Sequence, residues 1–311
     1  MKLSKHLEKF PKVFFYFYLP LIFISVFCIF LFFNLVLSFW IQKYAVLPLN
    51  FKILNEAKIP VIKTEFIPQI SAKGAIIMDA DSKVVLYSKN PGLRFSTAST
   101  TKIMTALTAL NFFKQNDILT IKQATDEGSV LGFKEGQELS FESLLYALLL
   151  PSANDAALAI SQNYPGGRDE FVKKMNDNAK NLFLYNTHYI DPAGLEDSGD
   201  YTTPFDLARL ASFAIKNDTF KKIVGTKEKV IYDSFGNSYD LNNLNKLLGI
   251  DGVNGIKTGF TEEAGQVLVT SREEKGKTII IVVMGSDDRF LDTQKLLDLV
   301  SNNLTYLSIH P

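Results

Sequence analysis

The sequence predicts an α+β domain, an antiparallel sheet with an inserted helical cluster, preceded by one transmembrane helix. Residues 13–42 contain no charged side chain, which indicates the transmembrane helix. Short β-rich runs occur from residue 74 and again after residue 253, and helical patterns fill most of the chain between them. This order is expected when the first and last strands share one antiparallel sheet and the helices are inserted between them.

The apolar run at residues 13–42 predicts a membrane anchor. At about 1.5 Å per residue, a helix of this length exceeds the hydrocarbon core of roughly 30 Å. Four lysines lie in a basic tail at residues 1–12, whereas only Lys43 follows the run closely. The positive-inside rule therefore places the N-terminus in the cytoplasm and the rest of the chain outside. A cleaved signal peptide is the alternative, but the run is longer than a signal core and no small-residue cleavage motif follows it.

Residues 43–65 mix prolines, lysines and scattered apolar residues, and we predict a stalk or linker there. The predicted domain then covers residues 66–308. Residues 1–65 carry eight Lys and three Glu, while the whole chain has 33 basic and 33 acidic side chains. The domain is therefore mildly acidic, which argues against nucleic acid as a partner.

Cysteine and histidine are too scarce for several classes of enzyme. Cys28 is the only cysteine and lies in the apolar run, so an internal disulfide is excluded and a thiolate metal site or Cys nucleophile is disfavoured. The three histidines, His6, His188 and His310, have no metal-ligand spacing. We therefore expect no metal and no cofactor, and a hydrolase with this sequence needs a base other than His.

The predicted elements follow one another along the domain. Residues 74–78 and 84–87 flank a turn-forming cluster and predict a β-hairpin. A helix follows from Ser99, with Ile103, Leu107 and Leu110 spaced to form one buried face. Further helices are predicted at 141–150, 155–162, 171–184 and from Thr203, a helix-capping residue followed by proline, to about residue 215. Strands at 255–257, 266–271 and 278–284 precede a last helix at 288–303.

The first candidate for chemistry is the Ser-x-x-Lys motif of Ser99 and Lys102, which occurs once in the chain. Positions i and i+3 share one side of a helix, so the hydroxyl and the amine can meet. A neutral Lys can take the hydroxyl proton if its surroundings lower its pKa. In isolation, a capping Ser and a solvent-facing Lys are the commoner explanation of such a motif.

Two further motifs follow in the chain. Ser152 and Asn154 stand after Pro151, which places them on a loop between two helices. In isolation, capping of the following helix is the commoner explanation of such a motif. Lys257, Thr258 and Gly259 form the only Lys-Thr-Gly triplet. On a strand, the cation and hydroxyl suit a carboxylate ligand, and the glycine permits close approach of another backbone. A polar edge strand is the alternative.

Ser-x-x-Lys, Ser-x-Asn and Lys-Thr-Gly stand in this order, 53 and then 105 residues apart. Together they resemble the penicilloyl-serine transferase superfamily, with its β-lactamase/transpeptidase-like fold. Within it the chain resembles the D-Ala-D-Ala carboxypeptidases, which are low-molecular-mass penicillin-binding proteins. This closer resemblance covers roughly residues 66–308. It is carried by the segments 75–79, 86–90, 98–106, 171–176, 191–195, 252–261 and 264–265.

The resemblance implies a role for each motif residue. Ser99 would attack the carbonyl between the two D-alanines, Lys102 would act as base, and Ser152 would relay protons. The backbone N–H groups of Ser99 and Phe260 would form the oxyanion hole. The substrate-binding residues would be Asn154, Lys257, Thr258, Gly259 and Phe260. The implied ligands are peptidoglycan stem peptides ending in D-Ala-D-Ala, outside the cytoplasmic membrane, and β-lactam antibiotics.

The sequence also departs from its relatives. Position 260 is Phe where a more polar residue is commoner, but the implied role uses only its backbone. Relatives often carry a C-terminal β-domain and a C-terminal anchor; here about eight residues follow the last predicted helix, so we expect no such domain and an N-terminal anchor instead. Arg168 and Arg289 could contact a carboxylate, although charges on the surface or at helix starts explain them more simply.

Three other functions remain open. A D,D-endopeptidase that cuts cross-linked peptidoglycan would use the same motifs. A β-lactamase of class A usually reads Ser-Asp-Asn at the second motif and needs a Glu for deacylation, for which we find no equivalent. A pseudoenzyme that binds wall peptides is the non-enzymatic alternative, although all the motif side chains are present.

Overall fold

The computed structural model describes residues 19–44, 57–64, 67–195 and 199–309. The chain divides into two compact units, residues 1–55 and 56–311. The predicted basic tail and residues 13–18 of the predicted anchor lie outside the described residues, as do residues 45–56 of the predicted linker.

The described part of the first unit is the helix α1, Leu19–Tyr44. Its 26 residues make it about 39 Å long, more than the roughly 30 Å hydrocarbon core. Between Leu21 and Ser38 the mean hydropathy is 2.7 and the side chains are exposed. The Asn34 side-chain amide donates to the Phe30 carbonyl at 2.8 Å, which satisfies a polar group on an apolar helix. α1 is thus long and apolar enough to cross a membrane.

The second unit contains eleven strands and seven further helices within its described residues. The strands are β1 Ala57–Ile62, β2 Gly74–Asp79, β3 Val85–Lys89, β4 Ile118–Thr120, β5 Glu138–Ser140, β6 Glu228–Tyr232, β7 Ser238–Asn242, β8 Val253–Thr261, β9 Gly265–Glu274, β10 Lys277–Ser286 and β11 Leu304–Ile309. The helices are α2 Thr101–Leu110, α3 Phe141–Leu149, α4 Asn154–Asn163, α5 Gly167–Asn181, α6 Pro204–Ala214, α7 Asp218–Val224 and α8 Arg289–Asn303.

A five-stranded antiparallel sheet in the order β3-β2-β10-β9-β8 organises this unit. β2, from the start of the domain, pairs with β10 near its end, and α2 to α7 are inserted between β3 and β8. The predicted α+β fold is therefore confirmed. The predicted hairpin is also confirmed, because β2 pairs with β3 around residues 80–84.

Both faces of the central sheet are covered, so its inner strands β2 and β10 contain continuous apolar runs. Successive side chains point to opposite faces: Ile76 packs into the core beneath the helical cluster, whereas Ile77 packs into a second core with Leu296 and Val300 of α8. The helix boundaries agree with the prediction to within a few residues. At the start of α6, the Thr203 hydroxyl accepts from the Asp206 N–H as predicted for its cap.

The face predicted for α2 has to be corrected. Ile103 is fully buried, but Leu107 and Leu110 are only partly buried, and the polar residues Thr101, Lys102 and Thr105 are buried instead. The reason is that α2 is packed among α3, α4, α5 and α6, so almost its whole circumference is enclosed.

The linker predicted at residues 43–65 is wrong at its C-terminal end. Residues 57–62 form β1, which pairs along its length with β11, the segment after the last helix. The Tyr306 hydroxyl of β11 donates to the Asp79 carboxylate at 3.0 Å, which joins this ribbon to the central sheet. Residues 57–62 therefore belong to the folded domain.

Candidate active site

Ser99 and Lys102 meet as their spacing predicts. Ser99 lies in a 3₁₀ turn, Ala98–Thr100, that leads directly into α2. The Lys102 Nζ donates to the Ser99 Oγ at 3.0 Å. Ser99 is partly exposed, whereas Lys102 is fully buried. The Ser99 hydroxyl, which a substrate can reach, is thus in contact with the Lys102 amine, which is shielded from solvent.

Neutral acceptors hold the Lys102 amine. Besides Ser99, its Nζ donates to the Asn154 Oδ1 at 2.7 Å and to the Ala193 carbonyl at 2.8 Å. Burial lowers the pKa of Lys102 from 10.5 to about 7, although the charges of Asp191 and Asp155 partly oppose the shift. Near neutral pH a large fraction of this lysine is therefore unprotonated, as a general base requires.

The loop that supplies the Ala193 carbonyl is shaped by Asp191. Its carboxylate accepts from the N–H groups of Ala193, Gly194 and Leu195 at 2.5 to 2.9 Å. Gly194 has φ +76°, and a Cβ there would lie 1.9 Å from the Ala98 carbonyl oxygen. Only glycine fits this approach. In the sequence, residues 191–195 are part of the family resemblance, but nothing there predicts that their backbone binds the Lys102 amine.

Asn154 contacts the base from a second side, and Ser152 lies two residues before it in the chain. Asn154 is the first residue of α4 rather than part of the preceding loop. Its Nδ2 donates to the Glu127 carbonyl at 2.8 Å, so both ends of its amide are engaged, one with Lys102. Asn154 therefore positions Lys102; its predicted contact with substrate stays a prediction. Ser152 is buried at φ +69°, and its hydroxyl has no hydrogen-bond partner among the described residues.

Strand β8 forms the opposite wall of the site. A Cβ at Gly259 would lie 3.2 Å from the Ala98 Cβ and 3.3 Å from the Ser99 nitrogen, so the strand runs directly against the nucleophile turn. Lys257 and Thr258 are both buried. Burial lowers the pKa of Lys257 well below its usual value, and the charges of Lys102 and Arg289 lower it further. Phe260 has a side chain that is 56% exposed.

Arg289 belongs to this wall; it stands at a helix start, as the simpler interpretation has it, but it is partly buried rather than on the surface. It is the first residue of α8, and its Nη1 donates to the Gly259 carbonyl at 2.8 Å. Its Nε is buried and has no hydrogen-bond partner among the described residues. Burial lowers the pKa of Arg289, despite the charge of Asp288. Arg168 is exposed, in agreement with the simpler interpretation, and lies beside a cavity beyond Asn154.

No group of three or more His, Cys, Asp or Glu side chains that could hold a metal ion occurs within the described part of the chain. The titratable groups at the site are instead two buried lysines and an arginine on β8, α2 and α8. The arrangement can deprotonate a serine and bind an anion beside it.

A family profile described as D-alanyl-D-alanine carboxypeptidase matches residues 61–288. The chain belongs to this family. The predicted resemblance to the D-Ala-D-Ala carboxypeptidases is therefore confirmed. The match begins inside β1, which agrees with the inclusion of that strand in the domain.

Individual relatives are similar across the same region. The chain is 34% identical over 238 residues to D-alanyl-D-alanine carboxypeptidase DacF of Bacillus subtilis, covering 73% of this chain and 61% of that protein. It is 36% identical over 239 residues to a D-alanyl-D-alanine carboxypeptidase of a Streptomyces species, strain K15, and the match covers 70% of this chain and 82% of that protein. A D-alanyl-D-alanine endopeptidase of Pseudomonas aeruginosa is 32% identical, covering 73% and 76%.

A solved structure shows the same fold. The crystal structure of the Streptomyces K15 DD-transpeptidase superposes with a TM-score of 0.71 at 34% identity, covering 75% of this chain and 98% of that one. The chain thus spans almost all of that structure but less than two thirds of the Bacillus relative.

Proposed function

We propose that this protein is a serine-type D-Ala-D-Ala carboxypeptidase that removes the terminal D-Ala from peptidoglycan stem peptides. The observation that carries the proposal is the contact between Ser99 and a buried Lys102 whose pKa is lowered to about 7. Family membership supplies the reaction class, and the motif residues supply the groups that the reaction needs.

In the acylation step, neutral Lys102 takes the proton of the Ser99 hydroxyl while the Oγ attacks the carbonyl between the two D-alanines. The N–H groups of Ser99 and Phe260 would stabilise the resulting oxyanion, and the close approach of Gly259 to the Ser99 nitrogen supports this pairing. Breaking of the peptide bond releases D-Ala as its amine takes up a proton through Ser152. Water then hydrolyses the acyl-serine and restores the Ser99 hydroxyl.

Hydrogen-bond donors that could bind the C-terminal carboxylate of the substrate lie on and beside β8. Lys257 and Thr258 are buried beside the nucleophile turn, and the Arg289 Nε lacks a partner among the described residues. A carboxylate would satisfy these groups with charge-assisted hydrogen bonds. β-Lactams, which present a carboxylate and a reactive carbonyl, would acylate Ser99 by the same route.

The predicted topology fits this substrate. With α1 in the cytoplasmic membrane and the N-terminus inside, residues 56–311 would face the compartment in which peptidoglycan is exposed. The orientation rests on the lysines of the N-terminal tail.

D,D-endopeptidase activity is the principal alternative, because one similar relative has that name and the same groups would serve both reactions. Cross-linked muropeptides as substrate would separate the two. A β-lactamase would hydrolyse the penicilloyl-serine quickly and release penicilloic acid, whereas a carboxypeptidase would hydrolyse it slowly. A pseudoenzyme would bind wall peptides without releasing D-Ala.

The proposal is tested with the full-length chain in detergent, incubated with fluorescent penicillin and separately with a stem pentapeptide. We expect covalent labelling and D-Ala release, and Ser99→Ala should abolish both. Ser301→Ala, at the exposed end of α8, is the matched control. Labelling that persists in Ser99→Ala, or a folded protein that neither labels nor releases D-Ala, would refute the proposal.

A further inference from the structure

A buried carboxyl group, that of Asp200, lies between the two segments that build the reactive centre. The first segment is the nucleophile turn, Ala98–Thr100, which carries Ser99. The second is the loop at residues 190–195, whose Ala193 carbonyl accepts from the Lys102 amine. Asp200 makes hydrogen bonds on both sides, as its two oxygens show.

On the side of the nucleophile turn, Asp200 contacts the two threonines that flank this turn. The Thr97 hydroxyl donates to the Asp200 Oδ2 at 3.3 Å. The Thr101 hydroxyl lies 3.3 Å from the same oxygen and 2.7 Å from the Thr97 hydroxyl. All three residues are buried, and Thr101 is the first residue of α2. A displacement of this cluster therefore moves the backbone that carries Ser99 and Lys102.

On the opposite side, the same carboxyl group holds the start of the loop at residues 190–195. Its Oδ1 accepts from the Ile190 N–H. The Asp191 carboxylate holds the rest of this loop by accepting from three N–H groups that follow it. The two oxygens of Asp200 thus bind different segments, and one side chain couples the position of the nucleophile to that of the carbonyl that holds the base.

The backbone that carries Asp200 is fixed by the two residues that follow it. Tyr201 exchanges two backbone hydrogen bonds with His188, at 2.9 and 3.1 Å. Thr202 exchanges two more with Phe95, at 2.9 and 3.0 Å. A side chain on a fixed backbone can hold its partners in place, as the groups that support a catalytic site must. The Asp200 carboxyl group is therefore suited to support both segments.

The nucleophile turn and the loop at residues 190–195 also pack directly against each other. A Cβ on Gly194 would lie 1.9 Å from the Ala98 carbonyl oxygen and 2.9 Å from the Thr101 hydroxyl oxygen. Glycine has no side chain that could fix this contact, whereas the Thr101 hydroxyl at its edge is bound by Asp200. A misplacement of about 1 Å between reacting groups can slow a reaction about a hundredfold, so the register of this contact matters for catalysis.

We propose that Asp200 is a positioning residue for acylation: its carboxyl group holds the nucleophile turn and the loop at residues 190–195 in register, so that the Ser99 hydroxyl stays in contact with the Lys102 amine. The inference rests on the proposed function, because it assigns Asp200 to the acyl-serine step. Asp200 acts through the two threonines and Ile190 rather than on the reacting atoms, so its removal should slow acylation without removing the reacting groups.

Two substitutions of Asp200 separate the loss of its hydrogen bonds from the loss of its charge. Burial and the charge of Asp191 raise the pKa of Asp200 to about 7, so near neutral pH about half of it is the neutral acid, which asparagine resembles. Asparagine can accept from the Ile190 N–H and bind a threonine hydroxyl, whereas alanine can do neither. We expect Asp200→Ala to slow Ser99 labelling by fluorescent penicillin about 10- to 100-fold, and Asp200→Asn to slow it less than about threefold.

Asp206→Ala is the matched control for Asp200→Ala. Asp206 is 4% exposed and Asp200 is 1% exposed. The Asp206 carboxylate accepts from the Asn186 N–H at 2.7 Å and from the Thr187 hydroxyl at 2.9 Å. Its partners are thus of the same kinds as those of Asp200, but they belong to neither segment of the reactive centre. Asp206→Ala should lower the temperature of thermal unfolding and leave the labelling rate unchanged.

A milder pair of substitutions decides the question if Asp200→Ala does not fold. Thr101→Val keeps the shape of the side chain and removes only the hydroxyl that contacts Asp200. Thr187→Val removes an equivalent hydrogen bond, from a threonine hydroxyl to the Asp206 carboxylate, outside the reactive centre. Thr101→Val should slow labelling by about three- to tenfold, the effect of one hydrogen bond, whereas Thr187→Val should not slow it.

Each variant is assayed as the full-length protein in detergent, for the rate of labelling and for the final number of labels per molecule. A slower rate with an unchanged final number supports a positioning role, because a variant that is only destabilised loses labelled sites instead. The inference would be overturned by an unchanged rate in Asp200→Ala, by an equal loss of rate in Asp206→Ala, or by Asp200→Asn that is as slow as Asp200→Ala. If Asp200→Ala does not fold, an unchanged rate in Thr101→Val would overturn it.

Release of D-Ala from a stem pentapeptide by the wild type is measured in parallel. A wild type that is labelled but releases no D-Ala would overturn the proposed carboxypeptidase activity, while the labelling rates would still decide the role of Asp200. Release of D-Ala together with unchanged labelling rates in the variants would overturn only the positioning role. The two failures are therefore distinguishable.

Discussion

Replacing Asn154 with Asp tests whether the low pKa of Lys102 controls acylation. The Asn154 Oδ1 accepts from the Lys102 Nζ at 2.7 Å, and the side chain is 4% exposed. Asp has nearly the same shape, so the hydrogen bond can persist. The change adds a negative charge beside an amine whose present acceptors are all neutral.

The magnitude follows from Coulomb's law. Opposite unit charges 4 Å apart attract by about 4 kcal/mol at an effective dielectric constant of 20, which corresponds to about three pKa units. The pKa of Lys102 would rise from about 7 to roughly 10. At pH 7.5 the neutral fraction would fall from about three-quarters to well below one per cent, so acylation should slow by about two orders of magnitude.

The assay is the second-order rate of Ser99 labelling by fluorescent penicillin between pH 5.5 and 10.5. For the wild type the rate should rise with a midpoint near pH 7, and for Asn154→Asp the midpoint should move upward by two to three units, as estimated from the Coulomb energy. Asn186→Asp is the matched control, because Asn186 also accepts from a cation, Arg94 at 3.0 Å, but is exposed and not part of the site. An Asn154→Asp profile with an unchanged midpoint would refute Lys102 as the base.

Three further changes test other parts of the site and its supports. Burial, with the charge of Asp191, raises the pKa of Asp200 from 3.8 to about 7. Because the folded state then binds the proton more tightly than the unfolded state, the free energy of unfolding should fall by up to about 4 kcal/mol as pH rises from about 4 to about 7. Urea unfolding at several pH values measures this dependence, and Asp200→Asn should flatten it. Gly194→Ala should lower the free energy of unfolding by about 2 kcal/mol or more, since the φ of +76° and the Ala98 carbonyl leave no room for a Cβ; an unchanged urea midpoint would contradict that geometry. Arg289→Gln should reduce kcat/KM for D-Ala release by about 10- to 100-fold if its guanidinium binds the substrate carboxylate, and a change of less than about threefold would show that it does not.

Local spacing explains why most of the catalytic motif could be predicted from the sequence. Ser99 and Lys102 are three residues apart at the start of a helix, so their contact depends on one turn of backbone. The strands were predictable for a similar reason, because β2 and β10 are buried on both faces and read as apolar runs. The cap at Thr203 is also local, because its hydroxyl accepts a hydrogen bond from the N–H of Asp206, three residues later.

What the sequence did not predict depends on pairings that only the folded chain creates. Ala193 reaches Lys102 across 91 positions, and nothing in its own residue type marks a carbonyl as a ligand for an amine. Arg289 looks like any charged residue at the start of a helix until the folded chain brings its guanidinium to the Gly259 carbonyl of β8. β1 was assigned to a linker because its short run contains Pro60, and its partner β11 lies near the opposite end of the chain.

The electrostatics of the site also indicate why Lys102 can act repeatedly. Its three hydrogen-bond acceptors are an alcohol, an amide and a carbonyl, none of which carries a charge. When it takes the Ser99 proton it becomes an ammonium in a buried position, near enough to Lys257 for their charges to repel. Asp191 and Asp155 reduce this penalty but do not remove it, because the pKa of Lys102 remains lowered. Protonated Lys102 is therefore stable enough to form but gives up its proton readily to the departing amine of D-Ala. A general base that acts in every catalytic cycle requires both properties.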